Sequence, residues 1–119
     1  ADPDGGIAVY NLDGTIHQYL QIGACNNVDI RTGVFGGVVL LVTANRTDNT
    51  LTYATWNPAT RVLATAGSTA VGFEPYGACL YVSAVNGDVY AFVTRNAATN
   101  GDLDQYRLTY SGGTVSGTK

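Results

Sequence analysis

Few side chains in this sequence carry charge, yet residues 23–33 gather several groups that bind ions. They read Gly-Ala-Cys-Asn-Asn-Val-Asp-Ile-Arg-Thr-Gly, with the amides of Asn26 and Asn27, the carboxylate of Asp29 and the guanidinium of Arg31. Carboxylate and amide oxygens are hard ligands of the kind Ca²⁺ takes. A planar guanidinium offers two parallel donors to a carboxylate or a phosphate. The plainer reading is an Asp29–Arg31 pair at a strand end, which contributes little if exposed. Other chemistries find no footing. One His and two distant Cys exclude the usual zinc spacings, no Ser sits in a G-x-S-x-G turn, and no Gly-rich loop opens a helix.

The elements that must position these groups are strands. Ten short apolar or alternating runs are separated by Gly, Asn, Asp and Pro, and none shows a helical period. The runs are 7–10, 15–22, 27–32, 38–44, 50–56, 61–66, 77–83, 89–94, 103–110 and a last one ending at Lys119. Asp13-Gly14, Asn57-Pro58, Asn86-Gly87 and Gly112-Gly113 mark turns between them. With charged residues at only 13% and 15 glycines, the composition is that of an all-β domain with tight turns. A net charge of −3 and a sole lysine at position 119 leave no nucleic-acid footprint. The longest apolar run, Val38 to Val42, is far below the roughly 18 residues of a membrane span.

The tripeptide Gly23-Ala24-Cys25 returns as Gly77-Ala78-Cys79, and each copy leads into an apolar strand, a polar loop, an aromatic strand and a final strand. Four antiparallel strands in a repeat of roughly 45–55 residues is the mark of a β-propeller blade. The expected organisation is a half blade over 1–22, a blade over 23–66 and a nearly complete blade over 67–119, about two and a half blades of a propeller. A β-sandwich is the competing all-β architecture. This alignment places Cys25 and Cys79 at equivalent points, so either they form a disulfide or both are free thiols. Asn45-Arg46-Thr47 is a formal glycosylation sequon.

Read in order, "GGIAVYNLDGTIHQYL", "NNVDIR", "ANR", "EPYGACLY", "VYAFVT" and "DQYRL" resemble the early blades of the β-propeller phytases, the calcium-dependent class that hydrolyses phytate. The resemblance implies a six-bladed propeller with the site at one mouth of its channel. It implies Ca²⁺ as cofactor, since bound cations would invert the field of an acidic protein toward a polyanion and serve as Lewis acids and water activators. By resemblance Asn26, Asn27, Asp29 and Arg31 sit near the channel mouth, with Asp29 in the metal site. Arg46, Tyr76 and Arg95 correspond to phosphate-binding positions, and Glu74 either braces the site or shapes the turn before Pro75. The bland readings are a solvated Arg46–Asp48 loop pair and a Tyr76 packed between sheets. His17 reads as a surface residue, Tyr53 and Trp56 as packing between blades, and Asp102 and Asp104 as a solvated loop.

The match is partial. A second signature segment rich in Asp would precede Ala1, and Pro3 and Asp4 stand where the family carries lysines. Arg95 and Asn96 stand where another lysine is expected. Most metal carboxylates would come from later blades. The expected function is therefore a segment of a calcium-dependent phosphomonoesterase acting on phytate, a poor enzyme alone. The alternative is a non-catalytic propeller-derived assembly module that has lost phosphate-binding lysines. Expected partners are phytate or another phosphate monoester, and remaining blades or copies of the chain. The composition and resemblance fit a secreted, extracellular or periplasmic bacterial-like protein.

Overall fold

A computed structural model of the chain describes residues 1–97 and 99–119, and among these every regular element is a strand. The strands are β1 (Gly6–Tyr10), β2 (Ile16–Gln21), β3 (Cys25–Val34), β4 (Val38–Asn45), β5 (Thr50–Asn57), β6 (Val62–Ala70), β7 (Pro75–Val82), β8 (Val89–Arg95), β9 (Leu103–Ser111) and β10 (Thr114–Thr118). They form a hairpin, β1-β2, and two four-stranded sheets ordered β3-β4-β5-β6 and β7-β8-β9-β10. All neighbouring strands are antiparallel and follow chain order, as turns of a few residues require. The expected all-β class and the ten runs are thus present, although β6 runs on to Ala70, past the expected boundary at 66.

The central sheet is buried on both faces, which explains why β4, Val-Val-Leu-Leu-Val-Thr-Ala-Asn, is almost continuously apolar. One face meets the last sheet, with Leu40, Val42 and Tyr53 against Leu80, Ala91 and Leu108. The other meets the hairpin, with Leu41, Ala54 and Leu63 around Ile7. At the outer end of the first junction the backbones nearly touch. A Cβ on Gly67, where φ is +118°, would lie 2.5 Å from the Val115 carbonyl oxygen. Only glycine allows that approach.

The expected alignment of the two repeats needs correction. Cys25 pairs with Asn45 and Val28 with Thr43, whereas Pro75 pairs with Arg95 and Ala78 with Val93. The first strands of the two four-stranded sheets, β3 and β7, lie side by side as the inner strands, with β6 and β10 the outer ones. Both inner strands carry the same irregularity, between Cys25 and Val28 and between Pro75 and Ala78. Cys25 therefore corresponds to Pro75, and Cys79 to Asp29; the two Gly-Ala-Cys tripeptides are out of step. Both cysteines are free, Cys25 buried and Cys79 exposed, so the bridge considered from the sequence is not made here. Burial pushes the Cys25 thiol pKa up, which keeps it protonated and unreactive.

Candidate functional site

In β3, alternate residues point to one side, and Asn27, Asp29 and Arg31 share the side that faces β7. The Asn27 amide donates to the Ala78 carbonyl at 2.6 Å and accepts from the Ala78 N–H at 2.9 Å. Asp29 Oδ2 accepts from the Leu80 N–H at 2.7 Å, and Arg31 Nη2 donates to the Leu80 carbonyl at 2.8 Å. The partners climb together, 27 with 78 and 29 with 80, so β3 and β7 run side by side in the same direction. Asp29 Oδ1 also accepts from Arg31 Nη1 at 2.7 Å and from the Ile30 N–H at 2.8 Å. Both carboxylate oxygens thus already face protein donors. Among the described residues no three His, Cys, Asp or Glu side chains converge in a metal-binding group.

The phosphate-type residues lie elsewhere, at the end where β3 and β7 begin. Arg46 follows β4, and its N–H donates to the Ala24 carbonyl, which fixes the loop beside the start of β3. Its Nη2 donates to the Pro3 carbonyl at 2.9 Å, while its Nε is buried without a partner among the described residues. Pro3, which stands in a position where a lysine is expected, thereby braces the arginine through its backbone. Arg95 ends β8 opposite Pro75, with its guanidinium 5.0 Å from the Phe73 ring centroid and 3.2 Å from Asp102. Tyr76 is 58% exposed beside Pro75, so its ring is not packed between the sheets. Arg46 on one sheet and Tyr76 and Arg95 on the next therefore share one end of the junction.

The remaining candidates lie apart from this end or at turns. Glu74 shapes the turn: its carbonyl accepts from the Asn96 N–H, and its carboxylate accepts from the Asn96 amide. The Asn26 amide nitrogen is buried without a hydrogen-bond partner among the described residues. Asn45 is 1% exposed and donates to the Ile22 carbonyl, so the sequon does not present an accessible amide. His17 is exposed, with Nε2 2.7 Å from the Arg61 carbonyl oxygen and its ring T-shaped against Trp56. Asp102 is committed to Arg95, and Asp104 pairs with Lys119 at 2.8 Å.

Sequence reasoning missed two contributors to the site, the Pro3 carbonyl under Arg46 and Phe73 under Arg95. Neither had a local signal, because each acts between residues distant in sequence, through a backbone oxygen or a ring face. Comparison with curated proteins finds no match. A family model described as Phytase matches residues 1–119, the whole of the chain. The chain therefore belongs to the phytase family.

Proposed function

We propose that these residues form the phosphate-recognition part of a phytase-type phosphomonoesterase, with phytate as substrate and inorganic phosphate as product. The observation that carries this reading is the shared end of Arg46, Tyr76 and Arg95, within a chain matched to the family throughout. Arg46 is suited to the role because the Pro3 carbonyl holds its guanidinium through Nη2, at the end of the junction where Tyr76 is exposed. A polyphosphate supplies the acceptors that such a fork matches. The exposed Tyr76 hydroxyl adds a neutral donor.

Calcium, implied by the resemblance, would need carboxylates beyond those that the described residues bring together, and when bound it would supply Lewis acidity and an activated water. The chain's own residues orient the phosphate groups. In this reading the two sheets are blades of a six-bladed propeller whose β3 and β7 edges face the channel, and the protein works outside the cytoplasm.

A second reading, a non-catalytic propeller-derived assembly module, draws support from Asp29, whose oxygens are engaged in holding β7. Calorimetric titration with phytate separates the two. Recognition predicts saturable binding that Arg46→Ala weakens by about tenfold or more, the loss expected for hydrogen bonds from a charged donor. Equal binding by Arg46→Ala, or none by the parent, contradicts it. Self-association of the parent without phytate binding would select the assembly module.

A further inference from the structure

We infer that Asn27, Asp29 and Arg31 are positioning residues: a side-chain strap that locks β7, and with it Tyr76 and Arg95, against the sheet that carries Arg46. What is positioned rests on the phosphate reading above; the strap itself rests on the contacts between β3 and β7. Ala78 and Leu80 lie on the free edge of β7, away from β8, and both are buried, at 6% and 2% exposure. Their two N–H and two carbonyl groups have no strand to pair with, and buried backbone groups without partners are strongly disfavoured. Three alternate side chains of β3 satisfy all four. Asn27 serves both groups of Ala78, Asp29 takes the Leu80 N–H, and Arg31 serves the Leu80 carbonyl.

The chemistry of each position fits this role. Only an amide donates and accepts side by side, as Ala78 requires. At Leu80 the two functions are divided between a carboxylate and a guanidinium, which also neutralise one another at 2.7 Å. In the corresponding register of β7 stand Gly77, Cys79 and Tyr81, which cannot repeat the arrangement. The strap therefore belongs to this junction and is not a general feature of the repeat. Tyr76 lies two residues before Ala78, and Arg95 pairs opposite Pro75. Any slide or tilt of β7 would move both relative to Arg46.

Amide hydrogen exchange and phytate calorimetry on the parent, Asp29→Ala, Asp29→Asn and Arg46→Ala test the strap. Asp29→Ala is expected to speed exchange at Leu80 by about tenfold or more, beyond any change at Tyr53 and Ala54, which report global opening, and to weaken phytate binding. Asp29→Asn retains an oxygen for the Leu80 N–H and keeps most of the protection and affinity. Arg46→Ala loses affinity with exchange at Leu80 unchanged. Parent-like exchange at Leu80 in Asp29→Ala overturns the strap. So does a Ca²⁺-dependent loss of phytate binding in Asp29→Asn with exchange unaltered, which would mark the carboxylate as a metal ligand. A parent that binds no phytate removes the phosphate reading, while the exchange data still decide the strap.

Discussion

The two faces of the central sheet make junctions of different quality. Toward β7–β10 the contact is closed from inner to outer edge. Asn27, Asp29 and Arg31 stitch the inner strands, and the core fills the middle. At the outer edge Tyr53 donates to Thr69, whose hydroxyl oxygen also accepts from the Gly117 N–H. Toward the hairpin, the bonds among the described residues that reach β1 and β2 lie at the outer edge. The Gln18 amide donates to the Leu63 carbonyl at 2.7 Å and accepts from the Leu63 N–H at 2.8 Å. Between β1 and the sheet an apolar cleft of about 350 Å³ remains open, lined by Val28, Ile30, Leu41, Trp56 and Leu63. The same sheet thus supports one rigid junction and one loose one, and the candidate phosphate residues lie on the rigid one.

Core truncation should break this contrast most visibly. Leu40→Ala, at the closed junction, is expected to cost ~3–5 kcal/mol in urea unfolding, because fully enclosed cavities cannot collapse. Leu63→Ala, which helps line the open cleft, should cost only ~2–3 kcal/mol. Equal losses would mean that the two junctions are equally well packed.

The closed junction also carries a pH signature. Burial pushes the Tyr53 hydroxyl pKa up to about 12, against an ordinary value near 10. The folded state therefore favours the protonated phenol. Its contribution is complete below pH ~10 and is lost as pH rises toward 12, a change of ~2–3 kcal/mol by linkage. Tyr53→Phe should remove this part of the alkaline destabilisation, measured as the difference in urea midpoint between parent and variant across that window. An unchanged alkaline profile would place the phenol outside the packed junction.

Smaller effects belong to the hairpin. Gln18→Ala is expected to cost ~1–2 kcal/mol and to speed amide exchange in β1 and β2 without affecting β8 or β9. Uniform acceleration would show that the hairpin opens only with the whole domain. The smallest effect should come from Asp2, whose pKa is lowered chiefly by the Tyr19 hydroxyl bond. Its contribution is present above pH ~4 and fades as pH falls through the depressed value. Acid titration should release the N-terminal segment in the parent and show no such step in Asp2→Asn.

The strands were legible because β-branched and aromatic runs between Gly, Asn and Pro turns carry a local signal, and all ten runs appear as strands. The family was legible from ordered motifs. The register was not, because a bulge after Cys25 and another after Pro75 shift the pairing, and no residue type announces them. The roles within the "NNVDIR" stretch were hidden for a related reason. An Asn-x-Asp-x-Arg pattern looks the same whether it faces an ion or the backbone of a neighbouring strand. Only the packing of β3 on β7 shows which groups surround it. Gln18 and Leu63, distant in sequence, met no rule that would pair them.

The most direct test of the account is a phytate titration followed residue by residue through amide chemical shifts. The largest shifts are expected at Arg46, Thr47, Tyr76, Gly77 and Arg95, with Asn27, Asp29 and Leu80 moving less and the hairpin scarcely at all. Dominant shifts along Asp29 to Arg31, or in the cleft beneath β1, would contradict it.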